Sequence, residues 1–214
     1  DGNSKDKSKK IAKEYAKNKS WVKTSFKKDT GIYNAMNIGI EKSDGEYIGF
    51  LNSGDCLYDK KTISLLLKFV KNNPKAHGFY GDLEMVNNNN KIKRRWKAGH
   101  HAFWKYPFGW MPPHPMTLIK KSLFKEANGF DEKLKIASDY DLMLRIFFFN
   151  RKVPIYLNKV LVRMKVGGVS NNSIIQILKS NLEVLKSWSK LNANIIPFWI
   201  IVLKPTLKIF QKIK

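Results

Sequence analysis

The run Gly45-Glu46-Tyr47-Ile48-Gly49-Phe50-Leu51-Asn52-Ser53-Gly54-Asp55 drives an apolar strand straight into a polar turn that closes on a single carboxylate. A strand held in a sheet fixes its last residues, and ligands of open α/β sheets gather just beyond the carboxyl ends of strands. Asp55 is therefore expected at a site. Asn, Ser, Gly and Asp are also the commonest turn formers, so this run alone reads equally well as an ordinary connection. Its neighbours decide between the two.

With 214 residues and 43% hydrophobic content the chain can bury one sizeable core, and the length favours one domain over two. Apolar periodicity predicts a helix over residues 7–17 capped by Ser4 or Asp6, with Ile11 and Tyr15 inward. A short strand over 21–26 and a helix over 31–40 follow. Further on, the pattern predicts a strand over 47–51, a helix over 62–70, and a strand over 77–86 turning at 87–90 into an extended arm over 91–97. Three prolines in Pro112-Pro113-His114-Pro115 forbid regular structure there. Ser122 to Asn128 reads as a short helix closed by Gly129. Ser138 is positioned to cap a buried helix running to Phe149, and two strands are expected over 153–157 and 161–166. A catalytic part is thus expected over 1–170, with a helical segment over 171–214. In that segment Ile195 to Leu203 is far short of the roughly 20 apolar residues a membrane-spanning helix needs. With Trp199 and the flanking lysines it suits the membrane interface, and a helix docked on the core is the competing reading.

Net charge is +23, yet among 40 basic residues only Arg94, Arg95, Arg145, Arg151 and Arg163 are arginine. Sequence-specific readers of nucleic acid lean on the arginine fork, so nucleic acid ranks well behind an anionic membrane surface as a partner. A basic domain binding membrane or nucleic acid without turnover is the alternative to an enzyme. Cys56 is the single cysteine, which excludes an internal disulfide and a cysteine zinc cluster. It reads as a small buried hydrophobe, and the reducing cytoplasm is the expected compartment.

Three further motifs accompany the first: Asp1-Gly2-Asn3-Ser4-Lys5-Asp6, then Asp29-Thr30-Gly31-Ile32-Tyr33-Asn34-Ala35-Met36-Asn37-Ile38-Gly39-Ile40, and later Ser138-Asp139-Tyr140-Asp141-Leu142-Met143-Leu144-Arg145. In this order the four resemble the inverting nucleotide-sugar glycosyltransferases of family 2, and four ordered motifs are far more specific than one. The resemblance covers roughly residues 1 to 170. It implies an α/β fold of the GT-A (Rossmann-like) type, a mixed sheet flanked by helices with a C-terminal helical tail. It also implies that the family's first strand-helix unit, one wall of the uracil pocket, is missing from this chain.

The resemblance implies a UDP-type donor and a glycan or lipid-linked acceptor, as in surface polysaccharide synthesis at the inner face of a bacterial membrane. A departing diphosphate needs its charge neutralised, and Mg²⁺ or Mn²⁺ held by one carboxylate, Asp55, serves that end. Gly54 stands where the family often has a further acid. Asp139 matches the acid that the family uses as base, at a helix start whose dipole favours an anion. Asp141 is expected to pair with Arg145 four residues on. Asp1, Asp29, Gly31, Asn37 and Asn52 are implied on the nucleotide, and His114 on diphosphate or acceptor.

Overall fold

The computed structural model describes residues 1–166, 174–191 and 196–201. Helix α1 (Ser8–Ala16) and helix α2 (Ile32–Lys42) precede strands β1 (Tyr47–Ile48) and β2 (Cys56–Leu57). Helix α3 (Thr62–Asn72) leads to β3 (Gly78–Val86) and β4 (Ile92–Trp96), then to a 3₁₀ turn (Phe103–Phe108). After β5 (Leu118–Lys120) come α4 (Lys121–Glu126), α5 (Ser138–Met143) with a π-helical continuation (Leu144–Phe149), β6 (Ile155–Lys165) and α6 (Ile174–Lys190).

The sheet runs β1-β5-β3-β6-β2, with β4 added to β3. Only β3 and β6 are parallel, so the sheet is mixed. Every residue of β3 is buried, as a central strand covered on both faces must be. Alternation sorts them: Phe79, Leu83 and Met85 pack with Leu66, Leu157 and Leu161, while Asp82 and Glu84 face the other way. Glu84, 2% exposed, is matched there by Arg95 Nε at 3.1 Å and Arg163 Nε at 3.3 Å. Gly81 is needed where β6 crosses, because a Cβ there would stand 2.5 Å from the Lys159 carbonyl.

Several expectations change. The segment 21–26 is extended but joins no strand, and β1 stops at Ile48. The chain opposite leaves the ladder: Thr117, which the register sets against Phe50, gives its N–H to the His114 carbonyl at 3.2 Å, and Met116 beside it turns to φ 54°. One parallel bridge, Phe50 to Pro115, and the bond from Met116 N to the Phe50 carbonyl at 2.9 Å remain. The two short strands expected after residue 153 are one, β6. Helix α1 buries nothing; Ile11 and Tyr15 are 62% and 57% exposed, since no described element covers that face. Cys56 is exposed rather than buried.

The larger core gathers α2, α4, α5 and the π turn with Val184 and Trp188 of α6 and with Ile200. Val184 and Trp188 thus bring α6, part of the helical segment expected over 171–214, into this core. Of the expected interfacial stretch 195–203, residues 196–201 are described, and Ile200 is buried while Phe198 and Trp199 are exposed. Among the described residues no helix is long and apolar enough to cross a membrane.

Candidate active site

Asp139 is the second residue of α5, and its Oδ1 accepts from the N–H of Tyr140 at 2.8 Å. The loop before it is held by a carboxylate from α6. Glu183 Oε1 accepts from Lys135 N at 2.9 Å, and Oε2 from Ile136 N at 2.9 Å and Ala137 N at 2.8 Å. Backbone N–H groups outside regular structure need such an acceptor. Ser138, expected to cap the helix, sits inside its first turn with its Oγ buried and without a hydrogen-bond partner among the described residues. Nothing local in the sequence points to Glu183, 46 residues further along the chain from Ala137.

Four rings join the motifs. Tyr33 of α2 stacks on Phe130 with centroids 5.6 Å apart, Phe50 meets Phe130 edge-on at 5.4 Å, and His114 stacks on Phe50 at 5.5 Å. Tyr33 donates its hydroxyl to the Ile136 carbonyl at 2.7 Å. Burial, reinforced by the Asp139 charge, pushes its pKa far up, so it stays a donor. His114 is buried, its Nε2 has no hydrogen-bond partner among the described residues, and burial lowers its pKa although the nearby Asp139 carboxylate opposes the shift. A neutral imidazole therefore shares the surroundings of Asp139. Tyr33 and Phe130 were not singled out by spacing, although Tyr33 lies within the second motif.

Asp1 and Asp29 line one cleft of about 660 Å³ between the segment around residues 20–27 and the face of α2 carrying Ala35, Ile38 and Gly39. Asp1 Oδ1 accepts from the N–H groups of Asn3 and Ser4 at 2.9 and 2.7 Å, and Asp29 Oδ1 from Gly31 N at 3.1 Å. Gly31, at φ 145°, opens α2 in a conformation that favours glycine. Gly2 passes so close to Asp29 that a Cβ would sit 2.1 Å from its Oδ2.

Asn37 corrects an expectation. Its amide donates to the Phe130 carbonyl at 3.0 Å and to Glu132 Oε1 at 2.8 Å, and its Oδ1 accepts from Phe130 N at 2.8 Å. One helical position from Ile38 rotates it away from the cleft that Asp1 and Asp29 line. It lines a second cleft, of about 680 Å³, with Lys121 and Lys125, and serves as a tie between α2 and the chain after α4.

Asn52 shapes the turn through its backbone, accepting from Asp55 N at 3.0 Å. Asp55 is half-buried, and its Oδ1 takes one weak bond from Lys165 N at 3.3 Å. Burial raises its pKa, with that bond pulling back in part. No ion pair neutralises it among the described residues. A carboxylate short of partners fits a hard divalent cation that keeps most of its own waters, though no trio of acidic, His or Cys groups surrounds it among the described residues. Asp55 and Asp139 lie outside both clefts. Asp141 is spent as expected: its Oδ2 meets Arg145 Nε at 2.8 Å, and Arg145 also donates to the carbonyls of Ala127 and Gly129.

Comparison with known proteins gives this site a context. The sequence profile of glycosyl transferase family 2 matches residues 1–128. A PGL/p-HBAD biosynthesis glycosyltransferase of Mycobacterium bovis is 27% identical over 147 residues, covering 68% of this chain and 56% of that protein. An uncharacterized glycosyltransferase of Rickettsia typhi is 29% identical over 184 residues, covering 81% of this chain and 56% of that one. The chain thus spans little more than half the length of these curated relatives. Among solved structures, S. aureus TarS 1-349 in complex with UDP-GlcNAc superposes with a TM-score of 0.66 at 18% identity, over 91% of this chain and 57% of that one. The mixed sheet flanked by helices is the α/β fold of such glycosyltransferase structures.

Proposed function

The chain belongs to glycosyl transferase family 2, and from that premise we propose that it moves a sugar from a nucleotide-diphosphate donor, of UDP type, to a glycan or lipid-linked acceptor in the making of a surface polysaccharide. The observation that carries this reading is the aromatic stack Tyr33-Phe130-Phe50-His114. It ties the strand leading to Asp55 and the helix opened by Gly31 to the loop before Asp139, so an acid for the acceptor and an acid for the donor belong to one rigid unit.

The reaction is a single displacement. Asp139 takes the proton of the acceptor hydroxyl as that oxygen bonds to the anomeric carbon. The bond from that carbon to the phosphate oxygen breaks on the opposite face, its electron pair leaving with the nucleoside diphosphate, and the configuration inverts. Asp55 would hold a Mg²⁺ or Mn²⁺ ion, which when bound offsets the charge that grows on the departing diphosphate. Asp1 and Asp29 accept hydrogen bonds from the nucleoside in their shared cleft. His114, neutral and with a free Nε2, offers one hydrogen bond to the reacting groups. Titration calorimetry of UDP with and without Mn²⁺ tests the reading: metal-dependent heat is expected from the parent chain and its loss from Asp55→Ala. Equal heats from both proteins would remove Asp55 from the metal role.

A further inference from the structure

Between Glu84 and Glu126 the sequence contains no acidic residue, and after Asp141 only Glu183. The fold brings these two stretches together around four exposed aromatic rings. Trp104 is 67% exposed, Phe108 43%, Phe198 65% and Trp199 43%. Three of them form one patch, with Phe198 next in sequence to Trp199: Trp104 meets Phe108 edge-on at 6.3 Å, Phe108 meets Trp199 at 6.3 Å, and Trp199 Nε1 donates to the Pro107 carbonyl at 2.8 Å. Leu178 and Leu182, 50% and 53% exposed, continue the apolar surface on the turn of α6 that is bonded to Ile201 through Asn181. Lys105 lies over Trp104 and Trp110, and Arg151 over Phe103 and Phe148, at the margin of the patch.

We propose that this surface, built by the turn Phe103–Phe108, residues 196–201 and α6, docks on an anionic lipid bilayer and presents a lipid-linked acceptor to Asp139. Exposed contiguous aromatics mark an interaction surface, and Trp with basic residues beside it, on stretches whose one acid, Glu183, is engaged by the N–H groups of residues 135–137, matches the polar boundary of a membrane. A protein partner would leave the uniform sign of charge unexplained. The route to the site is short. Tyr140, the neighbour of Asp139, donates its hydroxyl to the carbonyl of Tyr106 inside the same 3₁₀ turn at 2.9 Å, so a bilayer that orients the turn also orients the base. The acceptor half of the proposal rests on the transferase reading; the docking half does not.

The test is co-sedimentation of the parent chain and a Trp104→Ser/Phe198→Ser variant with phosphatidylcholine vesicles, with and without phosphatidylglycerol. Both side chains face solvent, so folding is retained. The parent is expected to bind the phosphatidylglycerol vesicles, and the variant to bind about tenfold more weakly, with UDP calorimetry unchanged between the two. Brominated lipid is expected to quench the tryptophan emission of the parent. Equal vesicle binding by both proteins, or absence of quenching, overturns the proposal. So does a concentration-dependent dimer in sedimentation that the variant loses, which would assign the patch to a second copy. Loss of UDP binding by the parent itself would instead count against the transferase reading and leave the docking result standing.

Discussion

Trp188 of α6 donates its indole N–H to the phenol oxygen of Tyr140 at 3.0 Å. Tyr140 in turn donates to the carbonyl of Tyr106, and Trp188 is 2% exposed. Together with Glu183 one turn earlier, this makes α6 a brace behind Asp139, gripping the loop on one side and the helix on the other.

Removal of the brace should be felt in both stability and rate. Glu183→Ala leaves three backbone N–H groups without their acceptor and is expected to cost about 1–3 kcal/mol. Urea denaturation measures that loss. Steady-state kinetics should show a fall in kcat at nearly unchanged donor KM, because the loop it holds leads to the proposed base and lies apart from the cleft of Asp1 and Asp29.

Asp139→Asn keeps the shape of the side chain and removes its basicity. Transfer is expected to fall by roughly 10²–10⁴, while UDP binding by calorimetry stays at the parental level. A variant that lost UDP affinity and kept its turnover would assign Asp139 to the donor side.

His114 gives the pH dependence. Burial lowers its pKa in the folded chain, so the unfolded chain binds the proton first. Folding stability is therefore whole above the ordinary histidine value near 6.5 and is lost as pH falls through the lower folded value. His114→Phe keeps the ring stack on Phe50 and removes the titration. Thermal melts from about pH 5 to pH 7 should show a shallower acid decline in the variant. His101, whose pKa burial also lowers, accounts for a remaining slope.

Arg145 and Asp141 form a buried pair, their side chains 17% and 2% exposed. Arg145→Ala strands the carboxylate and is expected to cost about 3–5 kcal/mol. Asp141→Asn in that background should restore part of the loss in urea titrations, since the stranded charge is gone.

Gly2→Ala forces a methyl group against the Asp29 carboxylate. The expected result is weaker UDP binding with the melting temperature little changed, because residues 1–10 are exposed. Calorimetry beside a thermal melt separates the two effects.

Local pattern carried the longer N-terminal helices and β3, because each has its own apolar period: α2, α3 and β3 are found within about two residues of where periodicity puts them. Asp141 with Arg145 was legible for the same reason, as a spacing on one helix. What escaped was set by partners distant in sequence. Whether residues 21–26 form a strand depends on a neighbour to bond with, and β1 ends where the chain opposite turns away at Met116 and Thr117. The cap on the loop before α5 comes from Glu183, and Asn37 turns to Phe130 because of how α2 sits on α4. The π turn at Leu144–Phe149 has no marker in a run that reads simply as buried helix.

Pro112, Pro113 and Pro115 contribute no amide hydrogen along the wall that faces Phe50. None of the three can donate a rung to a neighbouring strand, and beyond the single bridge at Phe50 neither Leu51 nor Asn52 lies in a strand. The run from Leu51 to Asp55 is left to turn on itself, Asp55 N returning to the Asn52 carbonyl, rather than to lengthen the sheet.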